Sequence, residues 1–287
     1  MMHIHSPVLL DLNTQRDLFT SELHPNTAPP GVESGGYPLV HAEKLLDPLK
    51  RVYSWVQKLK IPVVSTRLRY LMAPLPGSGP GGSGVLRPAA PKMTPRLICN
   101  PQTPGYQKLP STLLRKRREM PLDCGTDLPV DGFKTVQQYV FDLPSLNPFE
   151  CPRLDRLLSE SEVGVWILVG APLEWTVRTA VLGLLQRRQK VAVVSDAIGQ
   201  WDPYEGDMAL RQIESKNITW YTAAQLIEKL GHPEPIRPSL LGIPALRPRT
   251  PQASIPAPGL VRPARHNAPA AQKSVRARSK QASRQYR

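Results

Sequence analysis

The stretch Ala42-Glu-Lys-Leu-Leu-Asp-Pro-Leu-Lys-Arg-Val-Tyr-Ser-Trp-Val-Gln-Lys-Leu-Lys-Ile-Pro-Val-Val-Ser65 changes period part-way along, and that change decides the fold class. Up to residue 58 the apolar side chains Leu45, Leu46, Leu49, Val52, Trp55 and Val56 recur at helical spacing, which gathers them on one face. From Ile61 to Ser65 the run is short and β-branched, as in a strand. Upstream, Pro7-Val-Leu-Leu-Asp11 is another such run. Strand, helix, strand is a βαβ opening, and it predicts a mostly parallel sheet.

Working outward, the alternation resumes after residue 131. Strands are expected at Thr135–Phe141, Val163–Val169, Val191–Val194 and Asn217–Trp220. Helices are expected at Pro152–Glu160, Glu174–Arg188, Met208–Ser215 and Thr222–Leu230. The pattern describes an α/β fold, a three-layer α-β-α sandwich with a mostly parallel sheet of about six strands. Two segments depart from it. Residues 71–96 contain Pro76-Gly-Ser-Gly-Pro-Gly-Gly-Ser-Gly84, read as a flexible insertion, and residues 97–131 read as irregular. Beyond Gly231, proline and then Arg, Ala and Ser crowd out core-forming residues. The expected organisation is one α/β domain over residues 1–242 and a disordered basic tail over 243–287.

Charge follows the same division. The 287 residues carry a formal +14, yet ten Lys or Arg and no Asp or Glu fall between Arg247 and Arg287. The first 246 residues therefore hold only +4, and the excess belongs to the tail. Such a tail suits a polyanion, an acidic surface, or a solubilising role. The run Arg115-Lys-Arg-Arg118 is a smaller basic cluster, of the kind that is most often a solvated face. Three cysteines, Cys99, Cys124 and Cys151, have neither a disulfide framework nor zinc-ligand spacing. Without a readable signal peptide or membrane span, the expectation is a cytoplasmic protein.

In an open parallel sheet, chemistry gathers at the carboxyl ends of the strands. Four such ends carry distinctive residues: Asp11-Leu-Asn13-Thr-Gln15-Arg-Asp17, Asp142-Leu143-Pro-Ser, Gly170-Ala-Pro-Leu-Glu-Trp-Thr176 and Ser195-Asp196-Ala-Ile-Gly199. Each has a plain structural reading: Asn13 as a turn, Asp196 as a cap, Glu174 as a carboxylate at a helix start. Thr176 would need a base to become a nucleophile, and these motifs supply neither His nor Lys beside it. The six histidines form no metal-binding pattern. Residue chemistry alone gives no convincing active site.

Together, however, four pieces resemble the isochorismatase-like cysteine hydrolases, in particular the branch that contains nicotinamidase. They are Asn13-Thr-Gln15-x-Asp17 after the first strand, Cys99-x5-Gly105, Pro144-Ser-x-x-Pro-Phe149 and Gly170-x5-Thr176-Val-Arg178. The likeness spans roughly residues 7 to 230, in the family's order. It implies an Asp, Lys and Cys triad in which the thiolate attacks and the Asp takes its proton. At those positions this chain has Asn13, Leu143 and Thr176. Asp11 and Lys134 are the nearest charged substitutes. The family's Asp-x-His metal motif corresponds to Thr66-Arg-Leu-Arg-Tyr70, so no metal and no cofactor are expected. The segment Gly170-Ala171-Pro172 corresponds to the family's cis peptide before the nucleophile helix.

The resemblance therefore implies a scaffold kept without its chemistry, since asparagine cannot accept the proton, leucine carries no charge and a threonine is a far weaker nucleophile. The expectation is a pseudoenzyme acting as a structural or binding component of an RNA-containing particle such as a ribosome. Its phosphate contacts would come from Arg115, Lys116, Arg117 and Arg118 and from the tail residues Arg247, Arg249, Arg262, Arg265, Lys273, Arg276, Arg278, Lys280, Arg284 and Arg287. A homo-oligomer or protein scaffold is the neutral variant, and no membrane partner is expected. The alternatives are a hydrolase of amides or esters with altered chemistry, or a small-molecule sensor with Trp175 and Tyr139 lining its pocket.

Overall fold

A computed structural model describes residues 7–73, 96–122, 125–128, 132–161, 163–216 and 218–231. In chain order the strands are β1 (Pro7–Leu12), β2 (Glu33–Ser34), β3 (Val63–Leu68), β4 (Leu71–Ala73), β5 (Arg96–Ile98), β6 (Arg117–Met120), β7 (Gln138–Leu143), β8 (Val165–Gly170), β9 (Val191–Ile198) and β10 (Thr219–Tyr221). The α-helices are α1 (Ala42–Leu59), α2 (Pro152–Glu160), α3 (Arg178–Gln186), α4 (Pro203–Glu214) and α5 (Ala223–Leu230).

Seven strands form one sheet in the order β10-β9-β8-β1-β3-β7-β6, with every pairing parallel. Each residue of β1, β7 and β8 is buried. A strand buried at successive positions is covered on both faces, so helices must lie on each side. They pack in two groups, α1 with α5 and α3 with α4, giving the expected sandwich. The apolar stripe of α1 faces inward as its spacing requires: Leu45, Leu49, Val52, Trp55 and Val56 are buried, and Tyr53 joins them. Each such side chain contributes about 1.5–3 kcal/mol of hydrophobic stabilisation.

In the seven-stranded sheet, the strand that sequence reading omits is β6. Arg117-Arg-Glu-Met120 lies on the sheet's edge with its first three side chains exposed, so it carries no apolar alternation. Charged residues there also discourage edge-to-edge association. The ends of the expected insertion are strands as well. β4 and β5 pair antiparallel, and β2 joins β5 to complete a small separate sheet. Residues 74–95, the rest of that insertion, lie outside the described residues, as does the whole expected tail. Helix α4 starts earlier than expected because the Asp202 side chain accepts from the Tyr204 and Glu205 amides, with Pro203 as first helical residue. A capping box between Thr222 and Gln225 opens α5. Among the described residues, no helix is long and apolar enough to cross a membrane.

Candidate functional site

Strand order reverses at the β1–β8 pair: the chain moves from β1 toward β3 on one side and from β8 toward β9 on the other. The crevice beyond the carboxyl ends of two such strands is where α/β proteins place ligands. Asn13 and Thr176 meet there. Asn13 follows β1 in a left-handed conformation, φ +53°, which asparagine tolerates better than most residues. Thr176 lies in a π-helical turn, Leu173–Val177, that runs into α3. Between β8 and that turn stand Gly170, at φ +113°, and a cis bond between Ala171 and Pro172. A side chain at Gly170 is excluded, because its Cβ would lie 2.0 Å from the Leu12 carbonyl oxygen.

Asn13 is saturated. Its Nδ2 donates to Thr176 Oγ1 at 3.1 Å and to the Ala171 carbonyl at 3.3 Å. Its Oδ1 accepts from Thr66 Oγ1 at 2.7 Å. The carbonyl of Ala171 can only accept, which fixes the amide nitrogen on the Thr176 side. Thr176 is thus met by a donor. Both residues and Thr66 are fully buried. Leu143, at the third position, ends β7 opposite Leu68 and is equally buried, presenting no charge.

The charged substitutes are elsewhere. Lys134 ends a 3-10 turn ahead of β7, whereas Leu143 closes that strand. Six strand residues separate the two ends, about 20 Å at 3.3 Å each, so Lys134 sits at the wrong end of the sheet for the site. Asp11 is engaged within its own cluster. Its carboxylate accepts from Lys108 Nζ at 3.0 Å, Ser65 Oγ at 3.1 Å, Thr14 Oγ1 at 2.9 Å and the Tyr53 hydroxyl.

Comparison with protein families matches residues 8–225 to the isochorismatase domain. The chain belongs to the isochorismatase family. Among solved structures it resembles an isochorismatase-like hydrolase from Alkaliphilus metalliredigens, at 16% identity, covering 78% of this chain and 99% of that one, with TM-score 0.50. It also resembles the MAR1 ribonuclease of Caenorhabditis elegans (14% identity, coverage 89% and 97%, TM-score 0.48) and the nicotinamidase PncA of Bacillus subtilis (11%, 75% and 98%, 0.48). The likeness to the Alkaliphilus metalliredigens hydrolase shows the fold alone. No curated protein matches the sequence.

Within this isochorismatase domain, the other shared motifs form a polar frame around the crevice. Gln15 clamps β3, its Oε1 accepting from the Leu68 amide at 2.7 Å and its Nε2 donating to the Leu68 and Tyr106 carbonyls. Asp17 accepts from the Cys99 amide at 2.7 Å and contacts His24 Nε2 at 3.1 Å. It occupies the space left by Gly105, where an added Cβ would lie 1.7 Å from its Oδ1. The Cys99 thiol is buried, and burial together with nearby Asp17 pushes its pKa well above the ordinary value, the reverse of an activated nucleophile.

Lys108 is the residue that sequence reading missed. It sits in an ordinary Gln-Lys-Leu-Pro stretch, yet its ammonium is buried against Asp11 and donates to the Thr66 carbonyl at 3.1 Å. Burial lowers its pKa, and Asp11 works against that shift. The Lys108 Nζ therefore stands one residue, Thr66, behind the Asn13–Thr176 pair. Among the described residues no group of three or more His, Cys, Asp or Glu is placed to hold a metal ion.

Of the proposed phosphate contacts, Arg115 to Arg118 are all exposed. Arg117 donates to the Leu114 carbonyl and lies 3.4 Å from Glu119, and Arg118 stands over the Tyr139 ring. Arg247 and the tail cations beyond it lie outside the described residues. The structure does not bring Trp175 and Tyr139 together: Trp175 lies in the turn after β8, whereas Tyr139 is buried and donates to the Gly132 carbonyl near the start of β7.

Proposed function

We propose that this isochorismatase-family chain is a non-catalytic binding protein whose partner is RNA within a ribonucleoprotein particle such as a ribosome. The loss of catalysis is carried by the direction of one hydrogen bond, from Asn13 Nδ2 to Thr176 Oγ1. A nucleophilic hydroxyl has to give its proton to a base, and the group facing Thr176 here offers a proton instead. Asp11 is held by four donors, and Leu143 provides no charge to stabilise an anion. The RNA half is supported by the ten cations of the acid-free segment Arg247–Arg287 and by the exposed Arg115–Arg118 run.

Two measurements test the two halves. Purified protein incubated with nicotinamide and a panel of simple amides and esters should give no turnover above the uncatalysed rate. Turnover that disappears in Thr176→Ala would overturn the non-catalytic reading. In low-salt extract the native protein should sediment in a heavy fraction that collapses after nuclease. Migration as a free oligomer of 31.9 kDa subunits, indifferent to nuclease, would remove RNA as the partner.

A further inference from the structure

At the amino-terminal end of the sheet, remote from Asn13 and Thr176, lies an open cleft of about 460 Å³. Three separate segments place cations around it: Lys60 at the carboxyl end of α1, Arg115 and Lys116 before β6, and Lys134 before β7. All four are exposed, and no lining residue is acidic. The floor is apolar, with Pro62 and Leu114 buried and the Phe133 ring half-buried. That ring is held edge-on against Tyr139 with centroids 5.0 Å apart.

Four like charges drawn from three segments repel one another unless an anion lies between them, and walls of low dielectric focus their field into the cleft. An aromatic ring in such a basic groove is the combination that seats a nucleotide, phosphate on the cations and base on the ring. Past the cleft, the edge strand β6 carries two further exposed cations, Arg118 and Arg117, the latter 3.4 Å from Glu119. Cations spread over that length suit a chain of phosphates better than a single small anion.

We infer that this cleft is a binding site for single-stranded RNA, with Lys60, Arg115, Lys116 and Lys134 contacting phosphates and Phe133 stacking a base. The inference rests on the RNA reading above and adds a folded site to the basic tail.

The test is fluorescence anisotropy of the full chain with a labelled twelve-nucleotide oligouridine, titrated at several salt concentrations. The variant is Lys60→Gln/Lys134→Gln, and the control is Lys216→Gln, an exposed change beyond α4 toward the opposite sheet edge. Losing two phosphate contacts on a single strand should reduce the salt slope by about 1.4, equivalent to roughly 25-fold weaker binding at 0.1 M salt. The control should bind as wild type, and Phe133→Leu should weaken binding without changing the slope. Thermal melts of each variant establish that the fold is retained. Wild-type affinity and slope in the double variant would overturn the cleft while leaving the tail as the RNA contact. Displacement of the RNA by micromolar 5′-UMP would overturn the strand assignment in favour of a free nucleotide. Failure of the wild-type chain to bind RNA would remove both the cleft and the broader reading.

Discussion

Replacing Lys108 with methionine keeps the length of the side chain and deletes its charge, leaving the buried Asp11 carboxylate without its counter-ion. The two groups are 3.0 Å apart and almost wholly inaccessible, at 1% and 0% side-chain exposure. With an effective dielectric near 20, their gross attraction is about 5–6 kcal/mol. Ser65, Thr14 and Tyr53 still donate to the carboxylate after the change, so the buried charge is not abandoned altogether. The expected loss of stability is about 3–5 kcal/mol, the range for breaking a buried pair from one side. For a folded region of this size that lowers Tm by roughly 6–20 °C. The double variant Asp11→Asn/Lys108→Met removes both charges and should regain much of the loss, because a neutral pair no longer bears the desolvation cost. Urea denaturation of wild type, both single variants and the double variant completes the cycle, and a coupling energy above about 2 kcal/mol is expected. A Lys108→Met protein melting within 2 °C of wild type (on the order of the ~0.5 kcal/mol typical of innocuous surface changes) would refute the role assigned to the pair.

Two other perturbations probe the crevice. Glu174 is buried, with Oε1 accepting from the Trp201 and Asp202 amides and Oε2 lacking a partner among the described residues. Burial raises its pKa above 4.5. The folded state therefore holds the proton more tightly than the unfolded chain, and wild-type stability falls as pH rises from 4.5 through the folded-state value. Glu174→Gln should remove that slope, so its stability relative to wild type improves between pH 4 and pH 7; a constant difference in urea melts across this range would contradict the assignment. Gly170→Ala should cost more than about 4 kcal/mol or yield insoluble protein, since its Cβ would collide with the Leu12 backbone at a φ of +113°. Gly31→Ala, with φ +82° and open space around it, should cost only about 1–2 kcal/mol, so equal losses in the two would count against the packing argument.

Helix and strand positions were legible where one local signal dominated. Pro152–Glu160 emerges with its expected ends because proline begins it and its leucines share one face. The apolar strands β1 and β8 were equally plain, being buried on both sides. Edge strand β6 was not, because a strand paired on one side and exposed along most of its length has little reason to alternate. The Asn13–Thr176 meeting was legible only through resemblance, as the sheet order that joins β1 to β8 is written in no local pattern. Lys108 was beyond reach for a related reason. Its partners Asp11 and Thr66 come from β1 and β3, and nothing near Lys108 in sequence marks it as buried.

On the non-catalytic reading, the crevice is a scaffold that persists without its chemistry. Asn13 ties the end of β1 to Thr66 on β3 and to Ala171 and Thr176 beyond β8, so one amide joins three chain segments at the point where strand order reverses. An aspartate in that position could accept from Thr66 and Thr176 but could not donate to the Ala171 carbonyl, and its charge would be buried near Lys108, a cation already held by Asp11. Asparagine therefore suits a closed, structural junction as aspartate suits an open, reactive one. Leu143 fits the same logic: with no anion to stabilise, a buried lysine there would carry an unpaired charge, whereas leucine fills the space beside β3 with apolar surface. On the non-catalytic reading, Asn13, Leu143 and Thr176 form one consistent set, each suited to a closed junction that the other two also require.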